Sequence, residues 1–236
     1  MTIILIGMMI INKKDLFFNT KQDYVVLLKN IKNINIILNA TEKNFDYQSM
    51  YYLNKTKKYN INENILDINC INIDDNNVII ECAQTSYQLY KDTSQKEYLC
   101  HILNGNYFSN HLSCGAFLKT TDNKYIFIKN KNGIKLFGGF FDFNKDKTVL
   151  DCISREILEE LGKIIFQTVD MELLIFNKKY HYTGLIFNIT TKSSSQDILQ
   201  DFYPNQEVED LLIIDNLDLL NKYELSPLLE IAINKN

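Results

Sequence analysis

The stretch from Thr148 to Leu161 repeats apolar residues at helical spacing. Leu150, Ile153, Ile157 and Leu161 form one stripe, and Glu156, Glu159 and Glu160 crowd its flank. At about 100° per residue, the three glutamates fall within roughly 100° of one another. Such a helix must bury its stripe against another layer, which brings three carboxylates to the edge of a core. Like charges four residues apart destabilise an isolated helix by a few tenths of a kcal/mol, about 0.2–0.5, and a divalent cation removes that repulsion. Gly162 follows the last apolar position, where a left-handed cap costs least.

The ligand chemistry narrows which cation fits. Clustered glutamate without His or Cys offers hard oxygen donors, which suit Mg²⁺ or Mn²⁺ rather than zinc. Mg²⁺ sites commonly engage substrate phosphates, which points to phosphoryl-type chemistry. Arginine usage adds a second constraint. The chain has 24 lysines and one arginine, Arg155, within a usage rich in Ile, Asn and Lys. A guanidinium is a rigid planar fork that holds two acceptors at once, and an ammonium is not. The sole arginine therefore marks a place where a fork is required.

The 236 residues, 46% of them apolar, suffice for a substantial core, and a disordered chain is excluded. The formal charge of −4 provides no broad basic field, so a nucleic-acid partner would need a local patch. The apolar run Ile3 to Ile11 contains Gly7 and is too short for a membrane span or a signal peptide, so no membrane partner is expected. The cysteines Cys70, Cys82, Cys100, Cys114 and Cys152 form no C-x-x-C pair, and a reducing, cytoplasmic setting follows.

Periodicity divides the chain near Asn104-Gly105-Asn106. Residues 1–105 read as a smaller α/β domain of unknown role. It has strands over Thr2 to Ile11, Ile34 to Leu38, Ile71 to Ile73 and Val78 to Cys82, and helices over Gln22 to Ile31, Asp46 to Leu53 and Ser86 to Leu103. Residues 106–236 read as strands His111 to Thr120, Tyr125 to Lys129 and Ile134 to Phe137, then the glutamate helix. Further strands follow at Ile164 to Val169, Leu173 to Phe176, His181 to Ile189 and Val208 to Ile214, with Ser193-Ser194-Ser195 as a loop. Ser226-Pro227 opens a last helix.

Gly139 and the run Arg155-Glu156-Ile157-Leu158-Glu159-Glu160-Leu161-Gly162 resemble the Nudix box, G-x5-E-x7-R-E-U-x-E-E-x-G-U with U aliphatic. The resemblance covers about Asn110 to Asn236. It implies an α/β/α sandwich with a mixed sheet, and a hydrolase acting on a nucleoside diphosphate linked to another moiety. It also implies that Arg155, Glu156, Glu159 and Glu160 are catalytic, and that Gly139 joins the three glutamates in binding Mg²⁺ or Mn²⁺. Two departures stand out. The segment from Gly139 to Arg155 is two residues longer than the pattern, and the middle glutamate falls on Lys147, with Asp146 as the substitute partner for the arginine. The closing aliphatic position is Lys163, followed by Ile164.

Substrate-binding candidates are Gly138, Phe140 and, in the acidic run Asn205 to Asp210, Glu207. Phe140, Phe141 and Phe143 follow the double glycine and could stack on a base or ribose, with core or hairpin packing favoured for all three; His181, between Tyr180 and Tyr182 on a strand, could reach the cleft, with a surface histidine favoured. The substrate expected is ADP-ribose or a related dinucleotide. The stretch Cys152 to Glu156 and the run Asn205 to Asp215 are also similar to poxvirus decapping enzymes, which makes capped RNA the alternative. RNA binding calls for clustered cations, and Lys13-Lys14 with Lys55, Lys57 and Lys58 are modest clusters. A third reading is a nucleotide-binding sensor without turnover. A homodimer is compatible with all three.

Overall fold

The computed structural model describes residues 9–12, 24–29, 33–38, 65–74, 77–85, 111–162, 165–177 and 182–234. The strands are β1 (Met9–Asn12), β2 (Tyr24–Lys29), β3 (Asn33–Leu38), β4 (Ile65–Asp74), β5 (Asn77–Thr85), β6 (His111–Lys119), β7 (Tyr125–Asn130), β8 (Gly133–Lys135), β9 (Phe166–Asn177), β10 (Tyr182–Thr191) and β11 (Asp210–Ile214). The helices are α1 (Val149–Leu161), α2 (Ser195–Asp201) and α3 (Pro227–Ile233), with a 3-10 helix at Leu217–Lys222.

The strands form one mixed sheet with the main order β2-β9-β10-β6-β4-β5-β3. Its centre is the parallel pair β6/β10, in register from His111 opposite Tyr182 to Lys119 opposite Thr190. β6 is buried along all but its last residue, as expected of a strand covered on both faces. Successive side chains go to opposite faces, and the two cores follow that alternation. Cys114, Ala116 and Leu118 of β6, with Leu185, Phe187 and Ile189 of β10, share one cluster with Cys152, Ile153 and Ile157 of α1. Phe117 and Ile186 share the other with Leu229, Ile231 and Ala232 of α3. The result is an α/β/α sandwich with helices on each face of a mixed sheet.

Strands from both sides of residue 105 lie in this sheet. β4 meets β6 at Asp67 opposite His111, and β2 runs antiparallel to β9. The hairpin expected around Asp74-Asp75-Asn76-Asn77 is present as β4/β5. Among the described residues no helix is long and apolar enough to cross a membrane.

Several expectations need correction. Within the helix expected over Gln22 to Ile31, the described segment Tyr24–Lys29 is a strand, β2, because its apolar residues fit a strand as readily as a helix and the edge of β9 supplies backbone partners. The two strands expected between Ile164 and Phe176 are one, β9, with a register shift where Leu173 and Met171 face Ile186 and Phe187 in turn. The serine loop is a helix start: Ser194 caps α2 in a reciprocal pair with Asp197. Gly162 has a positive φ of 78° but ψ of −141°, outside the left-handed helical well, and its N–H closes the helix on Leu158. Ser226 makes no side-chain cap bond, although Pro227 does open α3. The helices expected at Asp46 to Leu53 and Ser86 to Leu103 lie outside the described residues.

α1 starts where Thr148 Oγ1 accepts the Asp151 N–H at 3.2 Å and the Asp151 carboxylate accepts the Thr148 N–H at 2.8 Å. This capping box satisfies two donors that a helix start leaves open. Thr148→Ala is expected to lower the unfolding free energy by about 1 kcal/mol in urea titrations, with an unchanged denaturant slope.

Candidate active site

The chain passes from β8 into Phe137–Phe141, which runs beside β6 through Ala116 N–H to Phe137 O (2.8 Å), Cys114 N–H to Gly139 O (2.9 Å) and Phe141 N–H to Leu112 O (3.1 Å). Two glycines are required in this run. Gly138 has φ +135°, and a Cβ there would stand 2.1 Å from the Cys114 carbonyl oxygen. A Cβ on Gly139 would fall 2.3 Å from Glu156 Oε2. The buried carboxylate of α1 is thus seated directly on the Gly139 backbone. The Gly139 carbonyl already accepts one hydrogen bond, which leaves it one lone pair.

The longer loop folds on itself. Asp142 N–H donates to Asp146 Oδ2 at 2.9 Å, and Asp146 N–H to Asp142 O at 2.7 Å. This delivers Asp146, whose side chain is 1% exposed, to Arg155. Arg155 Nε and Nη2 each donate to one Asp146 oxygen at 2.8 Å. Nη1 donates to Glu156 Oε1 at 2.6 Å and Glu159 Oε2 at 3.3 Å, and Nη2 also reaches the Phe140 carbonyl at 3.0 Å. All five guanidinium donors therefore find oxygen acceptors. Asp146, foremost, raises the arginine pKa further and holds it charged. Lys147, at the pattern's glutamate position, is exposed.

The three glutamates differ. Glu156 is buried, and burial raises its pKa; Arg155 pulls it back, while the charges of Glu159 and Glu207 push it up. Glu159 is half exposed. Glu160 is buried and tied at both oxygens, to Lys135 Nζ at 3.0 Å and to the Gly138 N–H at 2.9 Å. Burial pushes its pKa up to about 7 against the pull of these partners.

Two neighbours escaped sequence reasoning. Lys135 comes from β8 and shares no local spacing with the helix. Asn205 Oδ1 accepts the Glu207 and Val208 N–H groups at 2.8 Å, and its Nδ2 lies 3.4 Å from the Glu159 and Glu160 carbonyls. It clips the acidic loop to the end of α1 and brings exposed Glu207 within electrostatic reach of Glu156.

Phe140 is half-buried with its ring 4.8 Å from that of His111, Phe141 is in the core, and Phe143 packs against it. Cys152 and Cys114 are buried packing thiols; hydrogen bonding between them and burial push the Cys152 pKa strongly up. His181 and Tyr180 lie outside the described residues. A cavity of about 730 Å³ opens beside Thr148, Val149 and Leu150 at the start of α1, and none of the glutamates lines it.

Among the described residues no group of three His, Cys, Asp or Glu side chains converges closely enough to hold a metal ion as the side chains stand. The donor chemistry nevertheless fits a hard cation. The candidate donor atoms are all oxygens, Glu156 and Glu160 are buried carboxylates with raised proton affinity, and Glu156 feels two further acidic neighbours.

No family model and no curated protein matches the chain. Solved structures align with parts of it. Tm1382, described as a Nudix hydrolase, is 17% identical at a TM-score of 0.37, over 48% of this chain and 61% of that one. A Nudix hydrolase from Nitrosomonas europaea is 17% identical at 0.36, over 53% and 87%. A bifunctional NMN adenylyltransferase/ADP ribose pyrophosphatase from Francisella tularensis is 15% identical at 0.36, over 53% and 39%. The chain spans about three fifths of Tm1382 and about half of NrtR from Shewanella oneidensis. The described part of the chain is an α/β/α sandwich with structural neighbours among Nudix hydrolases.

Proposed function

We propose that this chain is a Mg²⁺- or Mn²⁺-dependent pyrophosphohydrolase that cleaves the diphosphate of a nucleoside diphosphate linked to another moiety, of the ADP-ribose or dinucleotide class. The observation that carries this reading is the full use of Arg155: one guanidinium gathers Asp146, Glu156 and Glu159 beside the Gly138-Gly139 turn. Nothing in a merely solvated acidic face calls for that fork.

Glu156, Glu159, Glu160 and the second lone pair of the Gly139 carbonyl would hold the cation. Its chemistry when bound is neutralisation of the diphosphate charge and acidification of water. Arg155 keeps Glu156 and Glu159 oriented, and Asp146 keeps Arg155 oriented. Gly138 and the half-buried Phe140 border the place where the substrate would lie. Glu207 is the candidate to accept a proton from the attacking water, because it is exposed and close to the cluster without a bond to Arg155. Selection of the leaving group rests on loops rather than on the box.

The test is product analysis with ADP-ribose, dinucleoside polyphosphates and capped RNA in Mg²⁺ or Mn²⁺. Release of a nucleoside monophosphate from the first two supports the proposal. Release of m⁷GDP from capped RNA would replace it with decapping, and tight binding without product with a sensor. Gly139→Ala is expected to lower kcat/KM about 100-fold, since its methyl group displaces the Glu156 carboxylate by the order of 1 Å. Wild-type kinetics in that variant would separate Glu156 from the chemistry.

A further inference from the structure

Glu160 is asked, in the reading just given, to take a divalent cation, yet its carboxylate already has a cationic partner. Lys135 Nζ stands 3.0 Å from Oε1, and the Gly138 N–H holds Oε2 at 2.9 Å. The glutamate side chain is 1% exposed and the lysine side chain 29%. These figures separate the two partners by freedom of movement. Glu160 is pinned by a backbone donor inside the fold and cannot turn toward water. Lys135 reaches it on a flexible four-carbon stem that leads back to solvent.

Two cations crowding one buried oxygen repel each other more strongly than they would in water, because the site excludes much of the screening solvent. A divalent ion arriving at Oε1 therefore meets Lys135 as a competitor. Lys145 is no equivalent: it is 57% exposed and 3.9 Å from Glu159, a distance and an exposure at which an ion pair contributes little.

We propose that Lys135 is the resident cation of the metal-free site, holding Glu160 in place until a divalent ion displaces it, so that Lys135 sets the metal concentration at which the site fills. It is a positioning residue acting through Glu160. The inference rests on the metal-dependent reading above and adds a residue that the box pattern does not contain.

The test is Mn²⁺ binding to the full chain, read as loss of the free-ion paramagnetic resonance signal, for wild type, Lys135→Met and Lys135→Arg at pH 8.5. The alkaline buffer keeps a proton from taking the place of the lysine. Lys135→Met is expected to bind Mn²⁺ about tenfold more tightly than wild type, between the few-fold scale of an exposed ion pair and the much larger one of a buried pair, and Lys135→Arg, which keeps the charge, within about twofold of wild type. Should Lys135→Met fail to fold by circular dichroism, Lys135→Gln carries the same expectation. Equal or weaker binding by the folded neutral variant, with wild type still binding, overturns the role of Lys135 and leaves the metal reading standing. No Mn²⁺ bound to wild type at millimolar concentration overturns both.

Discussion

Arg155→Lys is expected to lower kcat/KM about 10- to 100-fold, the usual cost of losing a group that orients ligating side chains. It is also expected to reduce the unfolding free energy by about 2–3 kcal/mol, somewhat less than full removal of a partner from a buried pair. Charge is conserved in this change, so the loss isolates geometry. Arg155 spends two parallel donors on Asp146, two on Glu156 and Glu159, and one on the Phe140 carbonyl. An ammonium has three donors at one point and cannot span these positions. Asp146, with a side chain 1% exposed, would keep at most one of its two bonds. Asp146→Ala should produce a similar defect, and the double variant should be little worse than either single one, because the two residues act as a unit. Additive losses would show that they work separately.

Glu160→Gln is expected to lower kcat/KM by about 10²–10³-fold, the range for removing a preorganised electrostatic group from an active site, while making the metal-free protein more stable at alkaline pH. The sign follows from burial. Glu160 has its pKa raised from 4.5 to about 7, with burial the largest cause and Lys135 and the Gly138 N–H opposing it. The folded state therefore holds a proton that the unfolded state releases. Stability from this group is fully present below the unfolded pKa and is lost as pH rises through about 7. Glutamine has no such charge to bury and still offers an oxygen to the Gly138 N–H. In chelator, wild type and variant should have similar urea midpoints near pH 5 and diverge by pH 8, the variant gaining about 2 kcal/mol. A variant less stable at both pH values would mean that the ion pair with Lys135 outweighs the burial of the charge.

The helix that carries the site was legible in the sequence because everything it needs is local. Thr148 and Asp151 cap it, Ile153 and Ile157 bury it, and the glutamates ride on the flank of the same stripe. The role of Asp146 was legible as well, since a single arginine and a displaced acidic residue leave few other pairings. What was not legible depends on partners far along the chain. β2 has residues that suit a helix or a strand, and only the edge of β9, well over a hundred residues away, settles the matter. Lys135 and Glu160 are 25 residues apart on different elements, so no spacing rule joins them. Asn205 reads as part of an acidic loop until its side chain is seen against the end of α1. Ser194 was hidden by its setting: three serines in a row suggest a loop, while Asp197 three residues on supplies the reciprocal cap.

Beside Gly139, Glu156 and Glu159 on Arg155 and Glu160 on Lys135 and the Gly138 N–H are the groups proposed to gather a divalent cation for phosphoanhydride hydrolysis. Anomalous diffraction from crystals soaked in Mn²⁺ tests this claim most directly. The expected result is a peak at a coordination distance of about 2–2.3 Å from these carboxylates and beside the Gly139 carbonyl, absent from Glu160→Gln crystals. A peak elsewhere on the protein, or none at this cluster while the Arg155–Asp146 fork stays intact, would contradict the claim.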